Sequence, residues 1–306
     1  MKARDLILLM ILGAMWGSSF LFIKVSVAEI SPTFAVAARF AFAVLTLLVA
    51  LPFLGRLSGA GAVIPDAAKL WRPMLVLGAL NAALPYFTIS WGTQFLPSGT
   101  AAILNSTVPL FTVLLTFVLP ALAAERLGAL GLIGILLGAL GVGVLVGGFD
   151  GLDGRTALTG AGAVLVGSAS YATGNFYARR TMKGVPVAVS AVGQNIAGLV
   201  LVLPVAVFAL PDAVPSLPVL GSLAGLGAIG TGFSLLLYFR LIANVGPART
   251  STVTYLVPVW ALLYGALLLG EDVTARALLG LALILAGVAG ASGLVRLPRR
   301  RPPPAP

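Results

Sequence analysis

The chain holds 306 residues, 59% of them hydrophobic and only 9% charged, with a net charge of +10. Soluble domains carry about 25% charged residues because their surface faces water, so a soluble enzyme, a disordered chain and a fibrous protein are all excluded. The charges sit in short clusters, and the apolar runs between them are long enough to cross a hydrocarbon core of about 30 Å.

In chain order, ten apolar segments stand between the charge and turn clusters: 6–27, 33–54, 73–95, 99–119, 127–147, 157–178, 186–208, 217–242, 248–269 and 275–295. All are predicted to be helices, because a lipid-exposed segment must satisfy its own backbone hydrogen bonds. Strands of an outer-membrane barrel would be about 10 residues long and alternate polar with apolar, and runs such as ALGLIGILLGALGVGVLV do neither. Lys2 and Arg4 precede the first apolar stretch as in a signal peptide, but the stretch exceeds a signal h-region and reads as a true span. The tail RLPRRRPPPAP (296–306) is basic and Pro-rich, a short disordered cytoplasmic end.

Positive charge gathers on one side of this arrangement. With a cytoplasmic N-terminus, the inside segments hold 15 positives: Lys2, Arg4, Arg56, Lys69, Arg72, Arg126, Arg179, Arg180, Lys183, Arg240, Arg249, Arg296, Arg299, Arg300 and Arg301. The outside segments hold 3, namely Lys24, Arg155 and Arg276, while most acids fall outside. The bias predicts ten spans with both termini cytoplasmic. On such a chain the basic excess meets anionic headgroups of the lipid bilayer, and no nucleic-acid partner is expected.

The chain also repeats itself. ERLGALGLIGILLGALGV (125–142) aligns with EDVTARALLGLALILAGV (271–288), pairing Glu125 with Glu271; Pro109 pairs with Pro258, and WGSSFLFIK (16–24) with YATGNFYAR (171–179). Two units, 1–150 and 151–295, follow, each of five helices. An odd number makes the two copies cross in opposite senses, a frequent plan for secondary transporters with a solute site between the halves. Duplication that merely enlarged the protein is the alternative.

At these residues the chain resembles the EamA-type members of the drug/metabolite transporter superfamily, over about residues 6–295. The resemblance rests on WGSSFLFIK, on GTAAILNSTVPLFTVLLTFVL followed by Glu125, on ARTSTVTYLVPVWALLYGALLLGE, and on the Gly-Val endings of the fifth and tenth segments. Pro109 and Glu125 stand sixteen apart, against thirteen for Pro258 and Glu271, so the fourth-to-fifth loop departs from the pattern. The resemblance implies an all-α integral membrane protein of ten transmembrane helices in two inverted five-helix repeats. It further implies alternating-access export of a small metabolite, an amino acid or similar amphipathic solute, across a bacterial inner membrane.

Polar and aromatic residues inside the spans are the candidate solute contacts. In the fourth segment Asn105, Pro109, Thr112 and Thr116 share a helical face, with Thr254 and Pro258 as counterparts in the ninth. Pro109 and Pro258 are candidate hinges, since a helical proline frees the carbonyl four residues earlier and can kink the helix; a packing kink with back-bonded Thr hydroxyls is the other reading. The third segment adds Asn81 and Tyr86, and the eighth Gly230 and Ser234. The first carries Trp16, Ser19, Phe20 and Ile23, answered in the sixth by Tyr171 and Asn175. Aromatic and amide groups can hold an amphipathic solute without formal charge. Trp260 joins this set, although an interfacial anchor is the alternative. Arg39, inside the second span, is either a ligand for a solute carboxylate or phosphate or a structural arginine, and Gln194 matches it in the other repeat.

Glycines at 131, 134, 138, 141, 280, 287 and 290 read as packing faces, within the bundle or between subunits of a homodimer. Cys and His are both absent, which removes thiolate nucleophiles, the commonest transition-metal ligand and the commonest general base. HExxH, GxSxG and P-loop patterns are missing, and no acid lies deep in a span. No catalytic residue, metal or cofactor is expected, and the chain reads as no enzyme. The alternatives are a nucleotide-sugar or phosphorylated-metabolite exchanger, with Arg39 as anion contact, and a lipid-modifying membrane enzyme.

Overall fold

The computed structural model describes residues 2–57, 67–118, 129–147 and 154–291. Among these, every regular element is helical: α1 (Ala3–Val27), α2 (Pro32–Leu57), α3 (Ala67–Gly78), α4 (Leu84–Thr93), α5 (Ser98–Asn105), α6 (Val108–Val118) and α7 (Ala129–Val146). There follow α8 (Gly154–Thr181), α9 (Val187–Ala206), α10 (Leu217–Gly227), α11 (Ser234–Val245), α12 (Pro247–Thr250), α13 (Val253–Leu269) and α14 (Ala275–Ala291). These elements fall on the apolar segments of the sequence.

Among the described residues, six stretches are long and apolar enough to cross a membrane: Ala3–Val27, Pro32–Ala50, Lys69–Thr93, Ser98–Thr116, Val189–Ala209 and Leu217–Val245. Three shorter apolar helices, Leu130–Val146, Val253–Leu269 and Ala275–Ala291, accompany them. Helix α8 is more polar: it carries Arg155, Arg179 and Arg180 near its ends and Asn175 and the buried Ser168 and Ser170 between them. Large apolar side chains such as Leu45, Val49, Leu136 and Leu267 point outward, which suits lipid and not water. This is a multi-pass membrane protein.

The helices approach one another through small residues. A Cβ built at Gly134 of α7 would lie 2.5 Å from the Gly287 carbonyl of α14, and one at Gly287 would lie 2.6 Å from the Gly134 carbonyl. The contact is therefore backbone against backbone. Dispersion over such a close seam replaces the hydrophobic drive that lipid cannot supply.

Among the described residues, two of the predicted helices contain a π-turn in place of regular α-geometry. Between α3 and α4 the chain makes a π-turn at Ala79–Ala83, and between α10 and α11 another at Ala228–Phe233. The first has a local cause. Pro85 has no N–H for the Asn81 carbonyl four residues earlier, and its ring crowds that carbonyl; a wider turn relieves both. The Leu80 carbonyl in this turn accepts from Ser170 Oγ at 2.7 Å. In the second turn Thr231 Oγ1 donates to the Leu226 carbonyl at 3.2 Å, the five-residue reach of a π-turn.

Candidate functional site

Both π-turns face a central cavity of about 370 Å³. Trp16 and Phe20 reach it from α1, Arg39 from α2, Asn81 from the first π-turn and Tyr86 from α4. Asn105 of α5, Pro109 of α6, Tyr171 and Asn175 of α8, Ser234 of α11, and Thr254 and Pro258 of α13 also line it, as do Ser19, Ile23, Gln194 and Gly230. Residues scattered from 16 to 258 in the chain thus converge on one space.

Thr112 and Trp260 do not line it. Thr112 Oγ1 donates to the Val108 carbonyl at 3.0 Å, and Thr116 Oγ1 to the Val113 carbonyl at 2.6 Å. These hydroxyls satisfy their own helix, as the packing reading anticipates. Trp260 stacks on Tyr264 with ring centroids 5.8 Å apart and packs against Gly13 and Gly17 of α1. Thr231 and Tyr238 line the cavity but were not among the candidates. Thr231 was legible as the one hydroxyl inside AIGTGF, and Tyr238 as the residue one helical turn beyond Ser234.

One wall is aromatic. Trp16 Nε1–H donates to Ser234 Oγ at 3.0 Å, which fixes the indole, and Tyr238 packs on it at 5.5 Å. Tyr86 stands between Phe40, stacked at 5.3 Å, and Tyr171, edge-on at 6.3 Å. Another wall is amidic. Asn81 Nδ2 donates to Asn175 Oδ1 at 3.4 Å, and Asn195 Nδ2 to the Ala191 carbonyl at 2.8 Å. Ser19 Oγ, Asn81 Oδ1 and Asn195 Oδ1 are buried without a partner. Unsatisfied polar atoms are costly when buried, and these three belong to residues lining one cavity.

Away from the cavity, ion and cap contacts tie segments of distant sequence together. Lys24 lies in the last turn of α1, and its Nζ donates to the Thr93 and Leu96 carbonyls at 3.0 and 2.7 Å. Glu271 accepts from Ser98 N at 2.8 Å, Ser98 Oγ at 2.7 Å and Gly99 N at 3.4 Å, capping α5. Glu29 caps α10 in the same manner, accepting from Ser216 N at 2.7 Å and Ser216 Oγ at 2.6 Å. These two hydrogen bonds hold the exposed Glu29 carboxyl below its ordinary pKa. Glu125, Arg126 and the 296–306 tail lie outside the described residues.

Residues 4–147 and 158–293 each match the model of the EamA-like transporter family. The chain is 30% identical, over 89% of its length and 85% of the relative's, to the uncharacterized inner membrane transporter YedA of Escherichia coli (strain K12). It is also 30% identical, over 71% of each chain, to a Streptantibioticus cattleyicolor protein described as a probable terminal-alkyne amino-acid exporter. A solved crystal structure shares the fold at TM-score 0.63 and 20% identity, covering 96% of this chain and 98% of that one.

Proposed function

The chain belongs to the EamA-like transporter family, and from that premise we propose that it is a secondary transporter exporting a small amphipathic metabolite, such as an amino acid, across a bacterial inner membrane. The solute binds in the central cavity, between two five-helix repeats of opposite orientation that expose it alternately to each side. One observation carries the reading: a cavity at the centre of the bundle, walled by aromatic and amide side chains from both halves of the sequence. The two π-turns support the repeat, since Ala79 and Ala228, where they begin, stand 149 residues apart, the same separation as Pro109 and Pro258. The charge bias supports ten spans with both termini cytoplasmic. The amino-acid exporter named among the relatives supports both the solute class and the direction.

The test is release from proteoliposomes loaded with a bacterial small-molecule extract, read by untargeted metabolite profiling. The expected result is protein-dependent release of a narrow set of amphipathic metabolites. Release no different from protein-free vesicles overturns the transport reading, and new lipid hydrolysis products would favour an enzyme.

A further inference from the structure

Arg39 is the single charged residue lining the cavity, and no Asp or Glu joins it among the described residues. The side chain is 7% exposed, so more than nine-tenths of it is withdrawn from the surroundings. Its guanidinium is held on two sides. The carbon of the group lies 3.6 Å from the centre of the Tyr86 ring, and Nε–H donates to Thr231 Oγ1 at 3.0 Å. Thr231 can accept this bond because its own proton goes to the Leu226 carbonyl, which ties the arginine to the second π-turn. Guanidinium carries five N–H donors in a planar fork, and Nε uses one of them here. No described residue accepts from either Nη, and neither Nη is among the fully occluded polar atoms that lack partners. The outer edge of the fork is therefore held and unpartnered, on a residue that lines the cavity.

We infer that this edge is an anion subsite, and that it makes the transporter select solutes carrying one carboxylate and reject organic cations. The inference rests on the transport reading above and sharpens its solute class. A buried cation is stable only when paired, and the fork matches a carboxylate in two parallel hydrogen bonds. A neutral or cationic solute would leave the guanidinium unpaired in the closed state, and a cationic one would add repulsion in a medium of low dielectric. A nucleotide sugar carries two phosphate charges, whereas the lining offers one cation; a single carboxylate balances it. The aromatic wall then takes the apolar part of the solute.

Four probes decide the matter in proteoliposomes: L-phenylalanine, L-phenylalaninamide, ethidium and UDP-glucose. Phenylalanine is expected to move at least about tenfold faster than its amide, ethidium or UDP-glucose, because charge-assisted hydrogen bonds of this kind change affinity by that factor. Arg39→Gln should slow phenylalanine by about tenfold or more and not slow the amide, which no longer meets an unpaired cation, so the gap closes. Should that variant not fold, Thr231→Val, which removes the acceptor that orients the fork, is expected to raise the apparent KM for phenylalanine and not for the amide. Equal rates for phenylalanine and its amide, or equal losses of both in either variant, would overturn the subsite while leaving transport intact. Faster UDP-glucose would assign the fork to phosphate and overturn the carboxylate. If no probe moves but the profiled vesicles release other solutes, a set without carboxylates overturns the subsite; no release at all fails the transport reading itself.

Discussion

Glu271 reaches across the chain to cap α5, and its replacement by glutamine has a calculable consequence. The carboxylate accepts three hydrogen bonds, from Ser98 N and Oγ and from Gly99 N, and it also interacts electrostatically with Lys24. It further sits at the positive end of the α5 helix dipole. Glutamine keeps one acceptor oxygen but presents an NH₂ where the second oxygen stood, so either the Ser98 N–H, or the Ser98 hydroxyl together with the longer Gly99 N–H contact, loses its acceptor. Hydrogen bonds to a charged group contribute about 1.5–3 kcal/mol each. Losing one and weakening the others should cost roughly 2–4 kcal/mol, which at about 2–4 °C per kcal/mol lowers the melting temperature by about 5 °C or more. Thermal unfolding in detergent, followed by tryptophan fluorescence, measures the change. The neighbouring exposed Asp272→Asn serves as control. A Glu271→Gln melting temperature within about 1 °C of wild type would show that the cap is solvated in practice and refute the reasoning.

Gly287→Ala places a Cβ 2.6 Å from the Gly134 carbonyl and the Gly138 nitrogen, neither of which can rotate away; a loss of about 1–3 kcal/mol is expected in a thermal-unfolding assay, and a neutral result would mean the α7–α14 seam is slack. The Glu29 cap contributes stability above pH 4.5, the carboxyl's unshifted value, and loses it as pH falls through the lowered folded value. Wild type should therefore outlast Glu29→Gln above about pH 5 and converge with it in stronger acid; a gap that persists in stronger acid would mean that the charge is not what caps α10. Single cysteines in this Cys-free chain should react with impermeant maleimide in intact cells at Asp212 and stay protected at Lys183; the reverse pattern inverts the topology. Pro109→Ala and Pro258→Ala should insert normally yet transport more slowly, and wild-type flux in both variants would remove the hinge role.

Much of the bundle was legible because lipid imposes a simple rule. Where backbone must bond to itself and side chains must be apolar, hydropathy marks the helices almost by itself. The cavity was legible for the converse reason: Asn81, Asn105, Asn175 and Arg39 stand out against an apolar background, and each costs too much to face lipid. What could not be read was any feature set by a partner remote in sequence. Lys24 was read only as an outside charge at the end of the first span, and its bonds to the Thr93 and Leu96 carbonyls beside the end of α4 left no mark in the sequence. Thr112 looked as polar as Thr254, yet only the latter's position turns toward the cavity.

The two halves also differ where their alignment says they should agree. Pro109 and Pro258 are counterparts, but the helical break at Ser106–Thr107 comes two residues before Pro109, and the break at Ser251–Thr252 six residues before Pro258. The difference of four residues is about one helical turn. In the first half the proline therefore opens a new helix, α6, and in the second it lies inside an unbroken one, α13. Two aligned segments that share the proline adopt two shapes. The alternating access proposed above asks for such a pair: each half would need the shape the other holds, with the energies of the two within a few kcal/mol for the exchange to be populated. A proline at the fourth helix suits this requirement. It removes the hydrogen bond that would otherwise favour the unbroken form, and so brings the broken and continuous helices closer in energy.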